Sequence, residues 1–83
     1  MQQVKRVIPL HEYKLKMWFA DGSEKVVDLE PFIGKGISAD LRDKDFFRQV
    51  AIDNSGGIYW PNGYDFCPNF LYDDVPEVDM LSV

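Results

Sequence analysis

A segment of alternating side chains at residues 13–19 constrains the fold of this chain more than any other feature. Its apolar positions are Tyr13, Leu15, Met17 and Phe19, and they alternate with Lys14, Lys16 and Trp18. Successive side chains of a β-strand point to opposite faces, so a period of two predicts a strand with one buried side. Residues 23–29 include Val26, Val27 and Leu29 and are predicted to form the partner strand.

The link at residues 20–22 sets the register of this hairpin. A two-residue Asp-Gly loop would place Leu15 opposite Asp28 and so set an apolar residue beside a charged one. A three-residue loop with Gly22 in the left-handed conformation instead places Leu15 opposite Val27. Because directly opposed residues share a face, only the second register keeps one side of the hairpin apolar, and we predict it.

A second hairpin is predicted where residues 50–53 and 57–60 flank Asn54-Ser55-Gly56. A three-residue loop would pair Ile52 with Ile58. It would also pair Val50 with Trp60, whereas a two-residue loop would set Val50 against Pro61, which has no amide hydrogen to donate. We therefore predict that the chain uses the same turn twice.

The remaining elements are a first strand and two short helices. The first strand is predicted over residues 4–8. Asp43 is placed to cap a helix over residues 44–49. Pro68 suits the first position of a second helix, which runs to about Asp73. The order β-β-β-α-β-β-α predicts an α+β fold with a small, mainly antiparallel sheet and two short helices on one face.

Length and composition indicate one globular domain. The chain has 83 residues, of which 46% are hydrophobic and 14% aromatic, and this excludes a disordered or low-complexity protein. We predict a single α+β domain over residues 1–75 and a C-terminal tail over residues 76–83. Pro76 prevents the last helix from continuing, so the tail is either frayed or an added edge strand.

The charge balance bears on the class of partner. Fourteen acidic and 9 basic residues give a formal net charge of −5. Polyanion binding requires clustered lysines and arginines, so this acidity counts against an autonomous nucleic-acid binder. The nearest group of cations is spread over the first two strands and comprises Lys5, Arg6, Lys14 and Lys16. We interpret it as the solvated side of a sheet and predict no direct nucleic-acid binding.

Cysteine usage and hydropathy indicate the compartment. Cys67 is the only cysteine, so the chain has no disulfide framework and no cysteine-based metal site. Residues 1–6 lack the apolar core of a signal peptide, and no run approaches transmembrane length. We therefore expect a cytoplasmic protein that does not contact a membrane.

The residues that would suit catalysis each have a simpler structural interpretation. His11, the only histidine, lies in a polar turn and is more typical of an exposed residue than of a general base or metal ligand. Cys67 would need a base to act as a nucleophile, and a buried or capping cysteine is the better interpretation. Asp28 is paired with Lys14 in the predicted hairpin, and Asp65 is a turn or cap residue. We predict no enzyme, no metal site and no cofactor.

The strongest surface feature is aromatic. In the predicted register Trp18 lies on the polar face of its strand beside Lys16, and Tyr59 also points outward. We name Trp18, Lys16, Tyr59 and Tyr64 as the candidate interaction surface, since aromatic residues are enriched at protein interfaces. The alternative is that the turn after the first strand, or the tail, covers Trp18 and Tyr59.

An ordered set of motifs covers about residues 3–73. They are Val7-Ile8-Pro9-Leu10, Phe19-Ala20-Asp21-Gly22, Asp28-Leu29, Leu41-Arg42-Asp43 with Phe46 or Phe47, Trp60-Pro61-Asn62-Gly63, Asp65, Pro68 and Leu71-Tyr72. With this set the chain resembles the small bacterial domain-of-unknown-function family 2442. The resemblance implies no established activity and no assigned catalytic residues. It also implies that some relatives are fused to a helix-turn-helix domain and that others are encoded beside another small protein, as in a toxin–antitoxin pair.

Three function classes follow from these observations. The leading hypothesis is an isolated, non-enzymatic protein-interaction module, with an antitoxin-like role toward a small basic protein and with self-association as a further mode. The alternative is a regulatory ligand-binding domain that acts beside a DNA-binding protein and has a pocket near Trp60 and Tyr64. An enzyme would require Asp28, Asp65 or Cys67 to converge in a cleft.

Overall fold

The computed structural model describes residues 3–34 and 36–78. Its elements, in chain order, are β1 (Val4–Pro9), β2 (Lys14–Phe19), β3 (Glu24–Asp28), α1 (Lys44–Phe47), β4 (Ala51–Ile52), β5 (Ile58–Tyr59), β6 (Asp65–Phe66) and α2 (Pro68–Asp73). Two 3₁₀ segments, Glu30–Phe32 and Gly36–Arg42, connect β3 to α1. The predicted α+β fold and its element order are confirmed, and β6 is added between β5 and α2.

The strands form two antiparallel sheets of three strands each. The first sheet has the order β1-β2-β3, and the second has the order β4-β5-β6. The Val4 amide donates to the Gly56 carbonyl at 2.7 Å, which joins the start of the first sheet to the loop between β4 and β5. The inner faces of both sheets therefore enclose one core together with the two helices.

The predicted register of the first hairpin is confirmed. Leu15 lies opposite Val27, and Lys14 lies opposite Asp28. The Gly22 amide donates to the Phe19 carbonyl at 3.0 Å, and Gly22 has a φ of +89°. Gly22 therefore closes a three-residue loop in the left-handed region, where residues with a Cβ are strained.

The same turn closes the second hairpin and also a third one that the sequence interpretation missed. Ile52 lies opposite Ile58 as predicted, and Gly56 has a φ of +88°. In the third hairpin the Trp60 amide donates to the Tyr64 carbonyl at 2.9 Å, and Gly63 has a φ of +92°. The stretch after Trp60 is thus a hairpin rather than a simple connector to the last helix.

The assignment of Asp65 to a turn or cap was wrong, because Asp65 lies in β6 opposite Tyr59. A strand of two residues is too short for an alternating pattern, so the sequence carries no periodic signal for it. By contrast, Asp43 caps α1 as predicted, since its carboxylate accepts hydrogen bonds from the amides of Asp45 and Phe46.

Two aspartates fix the first two loops by the same local contacts. Asp21 accepts from the Ser23 amide at 2.9 Å and from the Ser23 hydroxyl at 2.6 Å. Asp53 accepts from the Ser55 amide at 2.9 Å and from the Ser55 hydroxyl at 2.7 Å. In both cases the serine hydroxyl is the main cause of a lowered aspartate pKa, because the bond favours the charged carboxylate.

The core is apolar and rich in aromatic side chains. Its fully buried members with the largest side chains are Trp60, Phe47, Leu15, Met17, Leu29, Leu41, Ile58 and Leu71. Tyr13 and Phe47 meet edge to face at 5.6 Å between ring centroids, which brings α1 onto the first sheet. Among the described residues, no helix is long and apolar enough to cross a membrane.

The beginning of the predicted tail adds to an edge of the first sheet. Glu77 forms an antiparallel bridge with Val27, and the Val78 amide donates to the Val26 carbonyl at 2.8 Å. This favours the edge-strand alternative over fraying for residues 77–78. The rest of the tail, residues 79–83, lies outside the described residues.

The loop glycines predict a graded response to alanine. Gly22→Ala is expected to lower the free energy of unfolding by about 1 kcal/mol, because its backbone is left-handed but a Cβ there meets nothing within 4 Å. Gly56→Ala is expected to lower it by roughly 2 kcal/mol or more, because its Cβ would also lie 2.6 Å from the Gln3 Cβ. Urea unfolding of both variants measures the difference. Equal decreases in the free energy of unfolding would show that the clash of the Gly56→Ala side chain with Gln3 is relieved at no cost.

The lowered pKa values predict a dependence of stability on pH. A carboxylate whose pKa is lower in the folded state stabilises the protein above its unfolded pKa and loses that contribution as the pH falls. The free energy of unfolding should therefore decrease as the pH falls below the ordinary aspartate value of 3.8. The double variant Asp21→Asn, Asp53→Asn should show a shallower decrease in urea titrations over this range. Asp65→Asn is the control, and a slope unchanged in the double variant would contradict the assignment.

Candidate interaction surface

The first sheet has an outer face that is turned away from the core. Its residues are Arg6 and Ile8 in β1, Lys14, Lys16 and Trp18 in β2, and Glu24, Val26 and Asp28 in β3. Val26 is buried, whereas the other members are half-buried or exposed. These positions alternate with the buried residues Leu15, Met17 and Val27, as the period of two requires. We call this set the outer face.

Trp18 is the centre of a polar network on the outer face. Its indole Nε1 donates to Glu24 Oε2 at 3.0 Å. Arg6 Cζ lies over the ring at 5.0 Å from its centroid, and Lys16 Nζ lies over it at 5.1 Å. Lys16 also forms an ion pair with Glu24 at 3.4 Å. The half-buried ring is thus held by two cations and one carboxylate.

These contacts position Trp18 more than they stabilise the fold. An exposed ion pair contributes about 0–1 kcal/mol, and a cation over an exposed ring contributes about 0.5–1 kcal/mol. Their geometric effect is larger, because the three partners of Trp18 restrict its rotamers. A large side chain that is ordered before binding loses little conformational entropy when a partner covers it.

The outer face differs in charge from the chain as a whole. Arg6, Lys14 and Lys16 lie on it with only two carboxylates, those of Glu24 and Asp28. The acidic surplus of the chain therefore lies elsewhere on the molecule. The Asp28 carboxylate is further occupied by the Glu30 amide, from which it accepts at 3.0 Å.

Tyr59 lies in the second sheet and not on the outer face. It is opposite Ala51 on one side and Asp65 on the other, and 40% of it is exposed. Trp18 and Lys16 are therefore brought together as predicted, whereas Tyr59 belongs to a separate surface with an acidic neighbour.

Tyr64 is used in packing. Its ring lies 5.3 Å from that of Phe66 and 6.2 Å from that of Trp60, and its hydroxyl donates to the Phe32 carbonyl at 3.1 Å. Trp60 is fully buried, and its Nε1 donates to the Phe47 carbonyl at 2.8 Å. The predicted ligand pocket near these two residues stays a prediction, but both side chains already have structural contacts.

Lys25 is a functional candidate that the sequence interpretation missed. It lies opposite Met17, so it is a cation on the apolar side of the hairpin. Its Nζ donates to the Leu71 carbonyl at 2.8 Å and to the Tyr72 carbonyl at 3.0 Å, at the C-terminal end of α2. The predicted register already places this lysine on the apolar side of the hairpin. A cation in such a half-buried position requires polar partners, so the register could have indicated the contact.

Opposing effects act on the pKa of Lys25. Desolvation lowers this pKa below its ordinary value and is the largest cause. The carboxylates of Glu77, Asp73 and Asp74 act in the opposite direction. Lys25 therefore links β3 to the end of α2, and three carboxylates favour its charged form.

The residues considered for catalysis lie apart in the described part of the chain. Asp28 belongs to β3 and Asp65 to β6, in different sheets. His11 is exposed in the turn before β2, as expected. Within residues 3–34 and 36–78, no group of three or more histidine, cysteine or acidic side chains is arranged to hold a metal ion.

The expectation of a buried or capping cysteine needs correction. Cys67 stands at the cap position of α2, but its side chain is exposed and makes no capping hydrogen bond. Sulfur is a weak acceptor, and Pro68 at the first helical position already has the backbone angle that a helix requires. The helix therefore begins without help from the thiol.

Comparison with known families identifies a match over most of the chain. The model of the family described as "Protein of unknown function (DUF2442)" matches residues 4–77. This range includes all eight strands and helices and the bridge at Glu77. Comparison with curated proteins and with solved structures gave no significant match.

The position of Lys25 predicts a stability effect. Lys25→Met should lower the free energy of unfolding by about 1 kcal/mol, because two helix carbonyls lose a charged donor and three carboxylates lose a favourable charge interaction. Lys14→Met is the matched control, since Lys14 lies on the outer face and its loss should be near neutral. Denaturant unfolding measures both variants, and equal effects would contradict a specific role for Lys25.

Proposed function

The chain belongs to the DUF2442 family of unknown function, and on that premise we propose that it is a non-enzymatic protein-interaction module. It contacts its partner through the outer face of the first sheet. The partner is a small basic protein, toward which the chain has an antitoxin-like role.

The geometry of Trp18 carries the proposal. Trp18 is half-buried, is bonded through Nε1 to Glu24, and has the charged ends of Arg6 and Lys16 over its ring. Tryptophan and arginine are the residues most enriched among those that dominate binding energy at interfaces. An ordered tryptophan beside an arginine on the polar side of a sheet therefore supports a contact surface rather than a catalytic site.

The charge distribution supports a basic partner. A net charge of −5 attracts a basic protein over long range and speeds its encounter with the chain. The cations on the outer face bring specificity, since they require carboxylates or other acceptors on the part of the partner that covers Trp18. Attraction over distance and selectivity at contact thus come from different parts of the surface.

Affinity capture of the natural partner tests the proposal. The tagged full chain is expressed at its natural level in the source organism, and the captured proteins are identified by mass spectrometry. One stoichiometric small basic protein is expected with the wild-type chain. Trp18→Ala should weaken its binding about thirtyfold, which corresponds to the roughly 2 kcal/mol that a dominant interface tryptophan contributes.

Tyr59→Ala is the matched control for this experiment. It removes an exposed aromatic side chain from the second sheet and should leave capture unchanged. Thermal unfolding of both variants first establishes that each is folded. Capture of no basic protein, or equal capture by Trp18→Ala and the wild type, would overturn the proposal. If the chain captured only itself, self-association would replace it.

A further inference from the structure

A groove of about 440 Å³ lies beside the β3 edge of the first sheet. Its apolar lining includes Phe19, Tyr72 and Val75, and its acidic lining includes Glu24, Asp73 and Glu77. The rings of Phe19 and Tyr72 meet edge to face at 4.9 Å, so the floor is ordered. The groove therefore combines a firm apolar floor with carboxylates.

Strand β3 forms one side of this groove and is an edge strand. The Phe19 amide donates to the Ser23 carbonyl, and the Leu29 amide donates to the Tyr13 carbonyl, so the odd-numbered residues of β3 bond toward β2. Because this direction alternates along an antiparallel strand, the backbone groups of the even-numbered residues point outward.

The contact with Val78 shows that this edge accepts a strand. The outward carbonyl of Val26 already accepts the Val78 amide at 2.8 Å. The next outward groups along β3 are those of Glu24, which also lines the groove. Of the residues that the structure describes, only Glu77 and Val78 pair with the outer edge of β3.

The charges of the groove select one kind of occupant. Glu24, Asp73 and Glu77 contribute three carboxylates, of which that of Glu24 is paired with Lys16 on the outer face, so Asp73 and Glu77 face the single cation of Lys25. The Lys25 ammonium already donates to two carbonyl oxygens at the end of α2. A basic segment compensates the remaining acidic charge, whereas an acidic segment would add to it.

We propose that the groove beside β3 binds an extended, basic segment of the partner protein by strand addition. The segment's backbone bonds to the outward groups of Glu24, an apolar side chain packs on Phe19 and Tyr72, and its lysines or arginines face Asp73 and Glu77. Strand addition supplies affinity through main-chain bonds and specificity through alternate side chains. The inference rests on the proposed interaction function and is continuous with it, since Glu24 also bonds Trp18.

Titration of the full chain with defined peptides, followed by the amide NMR signals, tests this inference. The probe is a capped peptide that alternates lysine with valine. It should shift the amides of Glu24 and Val26. A peptide that alternates glutamate with valine should bind at least about tenfold more weakly. A version methylated at the backbone nitrogens of its lysines should not bind, because with the valines on Phe19 and Tyr72 the lysine amides are those that face the outward groups of Glu24.

Two charge variants separate the groove from general electrostatics. Asp73→Lys should weaken binding of the lysine peptide about threefold or more. Because the new cation lies near Lys25, thermal unfolding first establishes that the variant is folded, and Asp73→Asn, which removes the charge alone, should weaken binding in the same direction. Asp65→Lys is the matched control, since it makes the same charge change at an exposed site in the second sheet. Equal weakening by both variants would show non-specific attraction and overturn the inference.

The remaining outcomes are also decisive. If no shift appears at Glu24 and Val26, the groove is not the binding site. If the peptide binds only a chain truncated after Val78, the occupant is the chain's own residues 79–83, and the proposal of a partner segment fails. Capture of the natural partner in a Trp18-dependent manner, together with failure of the peptides, would overturn this inference and leave the proposed function standing.

Discussion

The buried Trp60 indole determines how the second sheet meets α1 and, through α1, the first sheet. The side chain is fully buried, and its N–H donates to the Phe47 carbonyl at 2.8 Å. Without that acceptor a buried donor would cost about 1–3 kcal/mol, so the hairpin of β5 and β6 must meet the end of α1. Ring contacts of Phe47 with Trp60 at 5.7 Å and with Tyr13 at 5.6 Å then carry the packing to the first sheet.

This arrangement leaves the outer face and the edge of the first sheet outside the core, and these are the surfaces that we propose for contact with a partner. The inner faces and most aromatic rings are used in the core, including those of Trp60 and Tyr64. Trp18 is held outside it by polar contacts, and the adjoining edge of β3 has outward backbone groups beside an apolar groove. Glu24 belongs to both places, since it lines the groove and bonds Trp18, so the proposed partner would reach the groove when it covers Trp18.

The register of the first two hairpins could be predicted because directly opposed residues share a face. A shift of one residue in the first hairpin would have placed Leu15 opposite Asp28, and neither face would then have been apolar. The same register placed Trp18 and Lys16 together correctly. The sequence did not reveal β6, because a strand of two residues is too short to show alternation of apolar and polar side chains. It also did not reveal the packing of Tyr64, because this packing depends on the third hairpin, which was not predicted. The contact of Lys25 with α2 joins residues distant in the chain, and only its inner position pointed to it.

We propose that the outer face and the adjoining edge of β3 form one binding surface. Hydrogen–deuterium exchange of the full chain, with and without the captured natural partner, tests this proposal directly. We expect slower amide exchange at the outward amides of Glu24 and Val26 and in the segment around Trp18, with little change in β5 and β6. Slower exchange around Tyr59 and Asp65, with no change in β3, would contradict it.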